Sequence, residues 1–221
     1  MSIEKPLQWI ENPQARSAHA ISSAQNVLPT SEVIKIRRFH KQIPGYQISP
    51  LKGLGALATR LGLGGIWVKD ESARLDLSSF KVLGGSYAIY KLLQRRLGMA
   101  DQELSFSDLV SGELRQKLGD ITFAAATDGN HGRGVAWSAK QMGFKSVIYV
   151  HKLTTRARIH SIEQNGARVV IVDGTYDDAV RQVYQDAQAN GWEVVSDTAW
   201  EGYEDIPRWV MQGYTTMLSE A

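Results

Sequence analysis

The stretch "ITFAAATDGNHGRGVAW", residues 121–137, runs from an apolar segment through a turn holding Gly129, Gly132 and Gly134 into a second apolar segment. It reads as a strand, "ITFAAAT", a glycine-rich loop, "DGNHGRG", and a helix, "VAWSAKQMGF", that stops near Gly143. The alternation continues downstream with strand "KSVIYV", a helix from Thr154 to about Asn165 closed by Gly166, strand "ARVVIVD", a helix opened by Thr175, and strand "WEVVS". Thr175 with Asp178 three residues on is a capping-box pattern. Strand and helix in strict turn, the strands written as continuous apolar runs, predict an α/β fold: an open parallel sheet with helices on both faces.

Upstream, "LSSFKVLGGSYAIYKLL" from Leu77 reads as a helix with Ser78 or Ser79 as N-cap and Lys81 in its first turn. A cation there meets the positive end of the helix dipole, an unfavourable interaction of about 0.3–1 kcal/mol at an exposed site. Before it, "PLKGLGALATRLG" predicts a helix, "LGLGG" a turn and "IWVKDE" a buried strand. Residues 1–50, with the helical patch "SEVIKIRRFHKQI", read as an N-terminal arm. A short helix at about 106–117 precedes the strand at 121, and "IPRWVMQGYTTMLSEA" is an amphipathic helix. The compact α/β unit spans 80–196.

With 221 residues, 43% hydrophobic and 22% charged, the chain can bury a sizeable core. Its 25 basic against 23 acidic residues include no long basic run, so neither nucleic acid nor an anionic membrane is expected as a partner. Cysteine is absent, which excludes disulfides and thiolate metal sites, and the five histidines show no pair at metal-ligand spacing, so no metal is expected. The segment "MSIEKPLQWIENPQ" lacks the apolar core of a signal peptide, and no later run approaches membrane-spanning length. A cytoplasmic location is the expectation.

In open α/β sheets ligands collect beyond the carboxyl ends of the strands, which singles out the loop after "ITFAAAT". Its glycines let the backbone approach a ligand, and the amides opening the next helix suit an anion. A carboxylate, Asp128, in such a turn points to a base or to a partner for a ligand ammonium; the plainer reading is that Asp128 or Asn130 caps the helix and His131 lies on the surface. For Lys81, apolar neighbours and the helix N-terminus both depress the pKa and favour the neutral amine that Schiff-base chemistry requires; the alternative is an ordinary surface lysine. Trp200, Tyr203 and Trp209 after the last strand read as a packed core or interface; the alternative is a binding site, with Asp197 at the strand's end facing the same crevice as Asp128. The glycines of "GLGALATRLGLGG" precede a strand rather than follow one, so no dinucleotide fingerprint is present.

Together, "SSFKVLGG" and "ATDGNHGRGVAW" resemble the pyridoxal-phosphate enzymes of the tryptophan-synthase-β fold type, fold type II, which include threonine dehydratase and cysteine synthase. The resemblance implies pyridoxal 5'-phosphate as cofactor, Lys81 as the Schiff-base lysine and Asn130 beside the cofactor's 3-oxygen. It implies that this loop holds the carboxylate of an amino-acid substrate and that Thr127, Asp128, Gly129 and His131 are substrate-binding residues. More narrowly, "TDGNHGRGVAW" with "DTAWEGYEDIPRWVMQGY" is similar to the diaminopropionate ammonia-lyase branch, where an aspartate stands at a position usually filled by a small residue. The resemblance runs from about residue 38 to the end. The implied reaction is α,β-elimination of 2,3-diaminopropionate to pyruvate and ammonia. Lys81 would take the α-proton of the L-isomer, Asp128 that of the D-isomer from the opposite face, and Asp197 would hold or protonate the leaving amine.

In that family the loop that binds the cofactor phosphate would follow Ala221. The resemblance therefore implies that 1–79 is an N-terminal arm with part of a larger domain, 80–196 a small α/β domain, and 197–221 a return segment toward the larger domain. Without about three charge-assisted hydrogen bonds of roughly 1.5–3 kcal/mol each, cofactor affinity is expected to fall at least roughly a thousandfold. The expected molecule is a lyase compromised on its own, completed by a complementing fragment or acting as a homodimer, as family members generally do. The alternative is an inactive truncated remnant or partner-binding fragment of such a lyase.

Overall fold

The computed structural model describes residues 12–13, 25–100, 102–127 and 129–221. Helix α1 (Thr30–His40) is followed by strands β1 (Leu51–Gly53) and β2 (Trp67–Lys69), with α2 (Gly55–Leu61) between them. A 3-10 turn at Arg74–Asp76 leads into α3 (Lys81–Arg96), and two short helices, α4 (Phe106–Val110) and α5 (Gly112–Leu118), lead to β3 (Thr122–Ala126). Then come α6 (Asn130–Gln141), β4 (Lys145–His151), α7 (Arg156–Glu163), β5 (Arg168–Val172), α8 (Tyr176–Asn190), β6 (Glu193–Val194) and α9 (Asp205–Ser219).

The main sheet has the order β5-β4-β3-β6 and every pair in it is parallel. Side chains alternate along its strands. Phe123, Ala125, Ile148 and Val150 enter the large core shared with α3 and α6, whereas Ala124, Ala126, Val147 and Tyr149 pack with Ala179 and Val183 of α8. Both faces are thus covered, as the continuous apolar runs predict. The Thr175–Asp178 capping box is formed in both directions. No helix among the described residues is long and apolar enough to cross a membrane.

Glycines on α3 set the helix packing that builds the site. A Cβ on Gly85 would stand 3.3 Å from the Val135 nitrogen and one on Gly134 3.0 Å from the Val82 backbone, so α3 and α6 cross almost backbone to backbone. A Cβ on Gly84 would enter the Tyr214 ring, which is how α9 lies against α3. That crossing brings the amino ends of α3 and α6 side by side. Ahead of Lys81 the chain turns through three non-glycine residues with left-handed backbone, Leu75 (φ 48°), Asp76 (φ 58°) and Ser78 (φ 51°). Such conformations cost of order 1–3 kcal/mol each and persist only where the surroundings fix them.

Three local expectations are corrected. The strand within "IWVKDE" is paired antiparallel with β1 at the surface, Trp67 being 64% exposed, because its only partner is a three-residue strand and no helix covers it among the described residues. Residues 51–53 of the expected "PLKG…" helix form β1. The helix at about 106–117 is two, because Ser111 is extended (ψ 147°), ending α4 while its hydroxyl accepts the Leu114 N–H to start α5.

Candidate active site

An open cleft of about 660 Å³ lies at the carboxyl ends of β3 and β6 and is lined by Lys81, Thr127, Gly129, Asn130, His131 and Asp197, together with Arg158 and Tyr176. The structure brings these sequence-predicted residues together from three separate segments. Asp128 lies outside the described residues.

Lys81 is the first residue of α3. The preceding Phe80 makes no side-chain cap; Ser79 Oγ instead accepts the Lys81 N–H at 3.2 Å. The side chain lies over an edge-to-face pair of aromatic rings, with Nζ 5.4 Å from the Tyr214 centroid and 5.9 Å from that of Phe80. It ends on Asp197, whose Oδ2 accepts from Nζ at 2.8 Å, the two side chains being 31% and 23% exposed. Burial works against the ammonium, but its hydrogen bond to Asp197, with the fields of Tyr214 and Asp197, outweighs that and raises the pKa above the usual lysine value. The expectation of a neutral amine from apolar neighbours and helix position is corrected on this ground: the deciding charge arrives from 116 residues downstream. Asp197 responds in kind. Burial pushes its carboxyl up, yet His131 and the Lys81 ammonium hold it below the ordinary carboxylate value.

The loop after β3 is organised by Thr127, whose hydroxyl accepts the N–H groups of Gly129 at 3.0 Å and Gly132 at 3.2 Å. Thr127 therefore closes the amino end of α6; Gly129, the residue before the helix, makes no side-chain cap, and Asn130 is already helical. His131 is 5% exposed, which corrects the surface reading. Its Nε2 lies 2.8 Å from the Val195 carbonyl oxygen and its Nδ1 3.7 Å from Asp197 Oδ2. Burial depresses its pKa more than Asp197 restores it.

Sequence reading missed Tyr214, Arg158 and Tyr176. Tyr214 lies 133 positions after Lys81, so no local spacing betrays it; the glycine beside it, Gly213, whose Cβ would strike the Leu83 carbonyl oxygen at 2.4 Å, was the only mark of close packing there.

The cleft suits an aromatic aldehyde cofactor. Its volume is of the size that holds small molecules, it presents one lysine among the described lining residues, and Asn130 and the amino end of α6 stand across from that lysine. The chain belongs to the family of pyridoxal-phosphate-dependent enzymes, whose sequence model matches residues 43–221. Its open parallel sheet is the fold type II arrangement, and the family's cofactor is pyridoxal 5'-phosphate.

Within that family the chain is similar to diaminopropionate ammonia-lyases. It is 46% identical over 206 residues to the one from Salmonella typhimurium, covering 93% of this chain and 51% of that protein. To the one from Escherichia coli K12 it is 49% identical over 186 residues, 84% of this chain and 46% of that one. The crystal structure of the Escherichia coli enzyme in complex with D-serine superimposes with a TM-score of 0.82 at 47% identity, over 88% of this chain and 49% of that one. The chain spans about half the length of the curated relatives it matches.

Proposed function

We propose that this chain carries the lysine-bearing part of a lyase that eliminates ammonia from 2,3-diaminopropionate, yielding pyruvate and ammonia. The observation that carries the reading is the Lys81–Asp197 pair at 2.8 Å, facing a cleft between the amino ends of two helices. Similarity to the lyases and the D-serine complex of one of them support an amino-acid substrate. Pyridoxal 5'-phosphate supplies, when bound, the electron sink for charge developing at the substrate Cα.

The chain's own groups divide the remaining work. Lys81 holds the cofactor and, once freed, takes the α-proton of the L-isomer; Asp128 does so for the D-isomer from the opposite face. Asn130 steadies the ring beside its 3-oxygen. Because Thr127 already occupies the N–H groups of Gly129 and Gly132, those of Asn130 and His131, which open α6, remain for the substrate carboxylate. His131 serves through that backbone group, since its ring is turned inward. Asp197, kept ionised, holds the leaving amine as an ammonium.

The same reading divides the chain into 1–79, 80–196 and 197–221, the first and last belonging with a larger domain. A partner-binding reading has its own support: Val68 stands exposed on one side of the β1–β2 strand pair, and the apolar Leu51 and Trp67 stand exposed together on its other face. A complementing fragment or a second copy covering that face would raise cofactor affinity.

Incubation with pyridoxal phosphate, borohydride reduction and peptide mapping tests the assignment, followed by pyruvate release from D- and L-diaminopropionate separately. The expected results are label on Lys81, weak retention by this chain alone, and loss of D-isomer turnover with L-isomer turnover spared in Asp128→Asn. No label at millimolar cofactor leaves the remnant reading in its place.

A further inference from the structure

We propose that His131 is the proton acceptor for the Lys81–Asp197 pair, a positioning residue that takes up at Nδ1 the proton Lys81 must shed before its nitrogen can act. The inference rests on Lys81 being the cofactor lysine.

The Val195 carbonyl can only accept, so the 2.8 Å contact requires a hydrogen on His131 Nε2. In the neutral ring that leaves a lone pair on Nδ1. This nitrogen is buried and has no hydrogen-bond partner. Facing it at 3.7 Å is Asp197 Oδ2, itself an acceptor. Two acceptors confront each other, and the hydrogen that would join them is carried by Lys81 Nζ, which lies 2.8 Å from the same oxygen. A purely structural histidine in this chain looks different: His40 uses both ring nitrogens, one on Thr216 Oγ1 and one on the Leu83 carbonyl.

The step balances without electrons entering or leaving. One N–H bond of the Lys81 ammonium breaks and its pair stays on Nζ; Asp197 Oδ2 receives the proton and passes one to His131 Nδ1. The result is a neutral lysine, a carboxylate and an imidazolium. The charged groups facing His131 are Asp197, from the segment after β6, which favours the imidazolium, and Lys81, from α3, which opposes it. Tyr214 of α9 faces Lys81 and Asp197. Loss of the Lys81 charge therefore removes the opposition and leaves the carboxylate alone beside Nδ1.

The test uses the full chain labelled with 15N-histidine and long-range 15N–1H spectra, which report tautomer and charge of each ring. In the unmodified chain His131 should show the neutral form protonated at Nε2. In Lys81→Met its titration midpoint should rise by about one pH unit or more, a tenfold gain in proton affinity, and in Lys81→Met with Asp197→Asn that rise should vanish. Lys81→Gln replaces Lys81→Met if the latter loses the spectral dispersion of a folded chain. A midpoint unmoved by removal of the lysine charge, or an Nδ1–H tautomer in the unmodified chain, overturns the inference. No cofactor is involved, so a chain that shows the His131 response without borohydride-trapped label on Lys81 loses the lyase reading and keeps the proton pair. Label without the response does the reverse.

Discussion

Two clusters in this molecule each combine a basic side chain, a carboxylate and a nearby buried histidine, and they differ in how fully their hydrogen bonds are used. Beneath the turn that precedes Lys81, Arg74 donates to both oxygens of Glu71, to Glu220, to the Gln47 carbonyl and to Ser49 Oγ. Glu220 also accepts from Tyr46, Lys69 and the Ser49 N–H, and His40, close enough to feel both charges, has a partner on each nitrogen. At the cleft, Lys81, Asp197 and His131 form a similar trio with one acceptor left over. A saturated network has one arrangement and holds the strained residues 75, 76 and 78 in place; a trio lacking one proton has two, and can pass that proton along.

The largest expected effect probes the saturated side. Arg74→Ala leaves Glu220 buried without its main counter-charge, the two side chains having no exposure, and should cost about 3–5 kcal/mol in urea unfolding. Replacing Arg74 by Met and Glu220 by Leu together should recover most of that loss, because no charge is then stranded. If the double variant is as unstable as Arg74→Ala, the cluster is not held by charge satisfaction and the contrast with the cleft weakens.

The two histidines give the next effect. Burial, the largest influence on His40, pushes its pKa down to about 3 from an ordinary 6.5. Between those values the unfolded chain binds a proton that the folded chain refuses, so stability rises with pH through that window and is lost as pH falls. At about pH 5 the loss is about 2 kcal/mol, at roughly 1.4 kcal/mol per pH unit. Glu220, whose pKa is held to about 2 by Arg74, Tyr46 and Lys69 against the opposing effect of burial, adds a further loss only below its ordinary value of 4.5, since its stabilisation is present above that value and disappears on acidification. His40→Gln should flatten the slope between about pH 5 and 6.5 in urea titrations; an unchanged slope would assign it to another group.

The parts of this architecture that were legible in the sequence are those decided locally. "ITFAAAT", "KSVIYV" and "ARVVIVD" are continuous apolar runs bounded by turn residues; β3 and β5 fall inside theirs and β4 runs one residue past its own, to His151. The loop at 127–134 declared itself by its glycines and by position after a strand. The protonation of Lys81 did not, because it depends on Asp197 and Tyr214, brought in by β6 and α9. Nor did the meaning of Gly84 and Gly85: inside a helix they read as weak points of about 1 kcal/mol each, whereas they admit the Tyr214 ring and the α6 backbone. The exposure of β2 was equally hidden, since an apolar run says nothing about which elements cover it.

A smaller effect separates loop order from charge. Thr127→Val keeps the side-chain shape but removes the acceptor for Gly129 and Gly132, and should cost about 1 kcal/mol, the usual worth of a helix cap. Borohydride trapping on Lys81 should survive, with the added pyridoxal phosphate held more weakly.

The smallest effect on stability belongs to the residue on which the chemistry depends. Lys81→Met removes one partner of a half-buried pair, but the Asp197 carboxylate keeps access to water at 23% side-chain exposure, and the methionine stem retains the contacts with Phe80 and Tyr214. Ion pairs with that much solvent contact are worth about 0–1 kcal/mol. Urea unfolding of Lys81→Met should therefore lie within about 1 kcal/mol of the unmodified chain, while cofactor trapping at this position is abolished. A loss comparable to that of Arg74→Ala would mean that the lysine, like the arginine, is there to hold the fold, and the distinction between the two clusters would be gone.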